Sequence, residues 1–195
     1  MHMTDRAPHT QAELILALTR SKQDVAVFFA GIDTGSFFAH PEGVWSAAEN
    51  LDHLIRAVSP VAKALRIPRL LTRLAFGAAK SPARDYAAIA QAYTEQLREG
   101  GAASGRVMPQ IEAQPADSAA ARQQLLNAWR EACDKLSVIV GTWSEADLDV
   151  HQLPHPLLGN LTVREMLFFT LYHNGHHVRQ TRDVLEQLRS GAAGR

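Results

Sequence analysis

His173 and His177 stand four residues apart in the segment LYHNGHHVRQ (171–180), inside an apolar run typical of a helix. Residues i and i+4 lie one above the other on one face of an α-helix, about 6 Å apart. At this spacing two ring nitrogens can bind one metal ion at roughly 2.0–2.1 Å. The pair alone is also compatible with core histidines that bond to carbonyls or carboxylates of neighbouring helices.

A third histidine favours the metal interpretation. Two buried imidazoles without partners cost roughly 1–3 kcal/mol each, so they need acceptors, water or a metal. His53 lies at the border of the apolar stripe of another predicted helix, where it can approach the middle of the C-terminal helix. Three histidines from two helices leave an ion open to water or substrate, which is typical of a catalytic site. His176 points about 100° away from the His173–His177 line and is expected to flank the site.

Four long helices are predicted to position these side chains, near 10–29, 47–66, 118–140 and 163–188. Each segment has apolar residues at helical spacing, and each begins at a capping residue. Two of the starts are capping boxes, in which a hydroxyl and a carboxylate three residues apart cap the same turn. The capping residues are Thr10, Ser46 with Glu49, Asp117 or Ser118, and Thr162 with Glu165.

This pattern predicts an all-α fold, an antiparallel four-helix bundle with a helical insertion between the second and third long helices. The insertion, 68–117, has too few large apolar residues to form a core of its own. The segment around Pro154 and Gly159 is expected to be a rigid loop. We expect one domain over 1–190 and a flexible tail at 191–195.

Composition limits the partners of the chain. Twenty basic and twenty acidic residues balance among 195, so nothing favours nucleic acid or an anionic membrane as the main partner. No apolar run approaches the ~20 residues of a membrane span, and the first ten residues lack the apolar stretch of a signal peptide. Cys133 is the only cysteine, which excludes an intramolecular disulfide and favours the cytoplasm.

The order and spacing of these motifs resemble the DinB/YfiT-like metalloprotein superfamily. The motifs are WSxxExxxHL from Trp45, LGxLTxxEM from Leu158 and HxxxHxxQ from His173, and the likeness spans 10–188. The resemblance implies a four-helix bundle whose second helix supplies one histidine ligand and whose last helix supplies an HxxxH pair. In this chain those ligands are His53, His173 and His177.

The resemblance also implies thiol-dependent transfer chemistry in some members, with a low-molecular-weight thiol as co-substrate. We therefore expect a divalent metal, first zinc or nickel and then iron or manganese, in a thiol S-transferase acting on a small molecule. A metal-dependent hydrolase is the second hypothesis, and a non-catalytic, stress-related bundle that binds a metal or ligand is the third. The apolar residues Phe37, Phe38 and 70–76 suggest a homodimer.

Several other polar residues have simple structural interpretations. Glu49 is explained by its capping box, although it could also orient His53. Gln180 fits helix packing as well as a place beside the metal. His155, between two prolines, is expected to be exposed on a loop, and Arg164 to lie on a solvated face. No general acid or base is identified.

Overall fold

The structure is a computed structural model that describes residues 7–111 and 115–193, with the side chains of 191–193 excepted. Eight α-helices and one two-stranded sheet lie in these ranges. The elements are α1 (Gln11–Ala30), α2 (Thr34–Phe38), α3 (Ala47–Ala64), α4 (Arg69–Phe76), α5 (Tyr86–Arg98), a 3-10 helix (Gly105–Val107), α6 (Ser118–Val140), α7 (Glu145–Val150), β1 (Gln152–His155), β2 (Gly159–Thr162) and α8 (Val163–Ala193).

The long helices begin at the predicted caps. The Ser46 hydroxyl accepts from Glu49 N at 3.1 Å, and the Glu49 carboxylate accepts from Ser46 N at 2.7 Å. The same reciprocal pair joins Thr162 and Glu165 at the start of α8. α8 continues to Ala193, five residues beyond the predicted end, and 194–195 of the predicted tail lie outside the described residues.

α1, α3, α6 and α8 form the bundle, with α1 and α3 each packed against both α6 and α8. α1 and α6 are antiparallel, because Gln11 bonds to Val140 O and Trp129 bonds to Lys22 O. α3 and α6 are parallel, since the Trp143 indole, just after α6, donates to Leu65 O at the end of α3. The all-α bundle with its insertion is confirmed. The prediction that all four helices are antiparallel is wrong, because the insertion carries the chain back along the bundle before α6 begins.

The predicted loop around Pro154 is instead a β-hairpin. β1 and β2 pair antiparallel with Gln152 opposite Thr162 and His155 opposite Gly159, and Gly159 has a φ of +69°. The hairpin delivers the chain directly into α8. In the insertion, α5 packs along α8 and begins after an Asp85 cap. None of the described helices is long and apolar enough to cross a bilayer.

The exposure predicted for Phe37 and for Arg164 is wrong. Phe37 is fully buried, with its ring 6.4 Å from that of Phe29, so it offers no surface to a second subunit. Arg164 is buried at the start of α8, where its guanidinium binds Asp149 at 2.5 Å and Glu145 at 2.8 Å. These ion pairs attach α7 to α8 and explain why the arginine is not on a solvated face.

Candidate metal centre

The imidazoles of His53, His173 and His177, predicted from the sequence to lie together, meet in the core of the bundle. His173 Nε2 lies 3.1 Å from His53 Nε2 and 3.1 Å from His177 Nε2. All three side chains are buried, with 3–4% of their surface exposed. Across the described residues, this is the one group of at least three histidine, cysteine or acidic side chains whose ligand atoms all lie within 4.8 Å of one another.

Local helix geometry and the direction of α3 and α8 produce this convergence. His173 and His177 occupy successive turns on the buried face of α8. His53 faces them from α3, which runs antiparallel to α8, so that His53 meets His173 while Asn50 meets His177. The ring centroids of His53 and His177 are 4.5 Å apart.

The outer nitrogens of two rings are held by acceptors. His53 Nδ1 lies 2.7 Å from the carbonyl oxygen of Val107, and His177 Nδ1 lies 2.7 Å from Asn50 Oδ1. The orientation of the Asn50 amide is set by its nitrogen, which donates to the carbonyls of Trp45 and Ser46. An acceptor opposite Nδ1 requires a proton on Nδ1, so a neutral ring presents an unprotonated Nε2.

Two Nε2 lone pairs therefore point at His173 Nε2. That nitrogen can donate one proton to one neighbour, which leaves its other 3.1 Å contact without a hydrogen. A cation shared by the three nitrogens removes this conflict. Each 3.1 Å separation lets both nitrogens reach one ion at roughly 2.0–2.1 Å, so the donor set fits a divalent metal.

Burial keeps these rings neutral, the form that binds metals. It lowers the pKa of His53 and holds the pKa values of His173 and His177 well below 6.5. The neighbouring histidines lower the pKa of His173 and of His177 further, because each added positive charge would repel the next. At neutral pH the cluster offers three uncharged nitrogen ligands.

Aromatic rings surround the cluster. Trp45 lies 5.0 Å from His53 and stacks on His177 at 6.1 Å with an interplanar angle of 16°. Because Trp45 is itself half-buried, it forms a layer between the cluster and the surface. Phe169 lies 4.9 Å and Tyr93 5.9 Å from His173. We call these rings the ring wall. They lower the local dielectric constant and thereby strengthen electrostatic interactions at the histidine nitrogens.

The insertion takes part in the site, through residues that the sequence did not identify. The 3-10 helix provides the Val107 carbonyl, and just beyond it Gln110 N donates to Asp52 at 2.8 Å. Asp52 also pairs with Arg56 at 2.7 Å, so the insertion is attached to α3 beside His53. Asn50 carried one sequence signal, a polar residue three positions before His53 on a largely apolar helix face. Val107 carried none, because it contributes only its backbone.

The other polar residues considered as site candidates lie outside the three-histidine cluster. Glu49 acts as a cap, as its simpler interpretation predicted, and Gln180 is exposed. His176 lies outside the cluster with its ring 5.9 Å from that of Tyr93. Burial, with a smaller contribution from Arg179, lowers the pKa of His176 to about 4.

His155 is not the exposed loop residue that was expected. It ends β1 half-buried, and its Nδ1 accepts from the backbone N–H groups of Leu157 and Leu158. Its ring lies 4.2 Å from that of Phe169, which itself contacts His173. Burial lowers the pKa of His155 to about 4, so the ring is neutral and carries its proton on Nε2.

Comparison with known protein families agrees with the helical bundle described above. No curated protein and no solved structure matches the chain significantly. The sequence model of the DinB superfamily matches residues 17–181, which include all three histidines and all four long helices in whole or in part. With most of its length matched and its helical bundle in place, the chain belongs to the DinB superfamily.

Proposed function

We propose that the protein binds a divalent metal through His53, His173 and His177 and uses it to transfer a small-molecule thiol. The observation that carries this proposal is the convergence of three Nε2 atoms. Two of them, in His53 and His177, are unprotonated because Val107 and Asn50 hold the proton on Nδ1 of each ring. Zinc or nickel is the first expectation for the metal, with iron or manganese as alternatives. A single cysteine and no disulfide are compatible with work in the cytoplasm.

The ligand set favours an anionic ligand, such as a thiolate. Three neutral imidazoles leave the full charge of a divalent ion uncompensated, and the cluster contains no carboxylate among the described residues. When bound, such an ion acts as a Lewis acid that lowers the pKa of a coordinated thiol or water. The apolar ring wall of Trp45 and Phe169 limits the access of water.

The thiol has to come from outside the chain. Cys133 is buried on α6, and burial raises the pKa of its thiol far above neutral pH. A buried, protonated thiol is a poor nucleophile. A low-molecular-weight thiol is therefore proposed as co-substrate.

Two polar groups beside the cluster are suited to orienting a second substrate. His155 Nε2–H and the Tyr93 hydroxyl have no hydrogen-bond partner within the described parts of the chain. Burial raises the pKa of Tyr93 to about 12, so its hydroxyl keeps its proton at neutral pH. Each can donate a hydrogen bond to a carbonyl or carboxylate of a small molecule.

A metal-dependent hydrolase remains the second candidate, because the same ligands can activate water. A non-catalytic metal-binding bundle is the third. Trp45 is the residue that bears on this choice, because its half-buried ring covers the cluster at the surface. A bound metal that accepts an added thiol or anion under Trp45 would favour an enzyme. A bound metal that accepts no added ligand would favour the non-catalytic binding protein.

The test is metal analysis of protein purified without a metal-affinity step, followed by a screen of low-molecular-weight thiols with electrophilic acceptors. We expect one metal per chain, and thiol consumption that a chelator stops. His173→Ala should lose both metal and activity with an unchanged helical circular dichroism spectrum. His40→Ala, on an exposed loop, is the matched control. Metal that persists after substitution of all three histidines would refute the site, and metal without thiol turnover would refute the transferase.

A further inference from the structure

The balanced charge of the whole chain conceals a strongly basic segment. Between Asp52 and Asp85, residues 53–84 contain no acidic residue and seven of the twenty basic ones. Three of the seven pair with acidic residues outside the segment, and the other four have no ion pair among the described residues. The four are Lys63, Arg66, Arg73 and Lys80.

Helix α4, in the middle of this segment, exposes its large apolar side chains. Leu70, Leu71 and Leu74 are 69%, 53% and 74% exposed, and Ile67 just before the helix is 40% exposed. Leu70, Leu71 and Leu74 fall within about 100° of one another at 100° per residue. Thr72, 1% exposed, points in roughly the opposite direction. The leucines therefore face away from the protein.

The attachment of α4 prevents the leucines from turning inward. The Arg69 guanidinium lies 3.0 Å from the Asp147 carboxylate, 4.8 Å from the centre of the Trp143 ring, and donates to the carbonyl of Thr142. At the other end of the helix, Phe76 is half-buried against the core. These contacts fix which side of α4 packs on the bundle.

The exposed cations lie beside the exposed leucines. Arg69 and Arg73 stand four residues apart along one edge of the apolar face of α4, and Arg66 lies in the turn that precedes the helix. Arg69 forms an ion pair with Asp147, whereas Arg66 and Arg73 are exposed. We call Ile67, Leu70, Leu71 and Leu74, together with Arg66 and Arg73, the α4 surface.

We propose that the α4 surface docks on an anionic lipid surface. Apolar side chains flanked by arginines fit the boundary between acyl chains and phosphate headgroups, where a helix lies flat and does not span. Charge argues against a second copy as the occupant. A two-fold contact centred on α4 would bring Arg66 and Arg73 of both copies close together, and no acidic residue on α4 could balance them.

The test measures binding to sedimentable phosphatidylcholine vesicles, with or without phosphatidylglycerol, at low and high salt. We expect binding only to the anionic vesicles, weakened by salt. Arg66→Gln/Arg73→Gln should weaken it roughly fivefold per cation, about twenty-fivefold together. Leu70→Gln/Leu74→Gln should weaken it at least about tenfold through lost apolar burial.

Val27→Gln/Val138→Gln is the matched control, because these valines of α1 and α6 are 74% and 73% exposed and lie outside the basic segment. Its vesicle binding should equal that of the unmodified protein. No binding to anionic vesicles, or an equal loss in the valine variant, overturns the proposal. A dimer in light scattering that Leu70→Gln/Leu74→Gln converts to a monomer, without vesicle binding, assigns the surface to a second copy and also overturns it.

Discussion

Asn50 Oδ1 lies 2.7 Å from His177 Nδ1 and joins the first turn of α3 to the middle of α8. The amide nitrogen of Asn50 donates to the carbonyls of Trp45 and Ser46, so the oxygen cannot turn away without breaking two hydrogen bonds. One buried side chain thus sets the tautomer of a proposed ligand from 127 residues away in sequence.

Asn50→Ala should weaken metal binding by roughly 10–100-fold, the usual effect of losing the acceptor that orients a ligating histidine. The measurement is a competition titration with a chromophoric chelator. Asn174→Ala is the control, since Asn174 is equally buried on α8 but bonds to Ser21. Equal affinities of the two variants would show that the Asn50 contact is not needed for binding.

Metal should stabilise the fold, because the three ligands are assembled only in the native state. Zinc at 100 times its dissociation constant should add about 2.7 kcal/mol to the free energy of unfolding. Thermal unfolding with and without zinc measures this effect. In His53→Ala the increase should vanish, and an increase of the same size there would place the ion elsewhere.

His155 should make the protein sensitive to acid. Its pKa is about 4 in the fold and near 6.5 in the unfolded chain, so between these values the unfolded chain binds the additional proton. The stability associated with the neutral ring is complete above pH 6.5 and is lost as pH falls toward 4. Melting temperatures of His155→Gln should therefore decline less steeply across this window. His40→Gln should decline like the unmodified protein, and identical slopes in all three would contradict the assignment.

Cys133 should react only when the protein unfolds. The thiol is buried and its raised pKa leaves little thiolate, so a thiol reagent should modify the native protein roughly a hundredfold more slowly than the urea-unfolded chain. Spectrophotometric labelling over a urea series measures this ratio. Rapid labelling without urea would mean that α6 opens locally, and would reopen the question of an internal thiol.

Ser46→Ala should cost about 1 kcal/mol by removing the hydroxyl of the α3 capping box. In a chain of this size, that corresponds to a decrease of about 2–4 °C in melting temperature. Ser190→Ala, which loses an exposed hydroxyl late in α8, should melt within error of the parent. A large loss of metal affinity in Ser46→Ala would mean that the cap also positions His53.

Features that depend on nearby residues could be predicted from the sequence. The starts of α3 and α8 are predicted by the pairs Ser46 with Glu49 and Thr162 with Glu165, because both partners of each cap lie within one turn. The helical period places His173 and His177 on one buried face. The choice of His53 as the third member depended on the expected bundle and on the family resemblance.

Three other features, which depend on distant residues, could not be predicted. The hairpin was missed because each strand has only four residues and β1 contains Pro154, a residue rare in strands. The parallel run of α3 and α6 depends on the path of the insertion, and the helical period of a segment does not fix the direction in which the chain leaves it. The Val107 carbonyl, which bonds to the proposed ligand His53, has no side-chain signal in the sequence.

The distance of 120 residues between His53 and His173 has a consequence for biosynthesis. A ribosome extrudes α3 long before α8, so the nascent chain holds one imidazole of the cluster while most of the protein is still to be made. Closing so long a loop costs entropy that only the packed bundle offsets, and the proposed metal site is incomplete until then. Metal loading should thus be a late event, after the C-terminal helix has docked, and metal content should report how many chains were finished and folded.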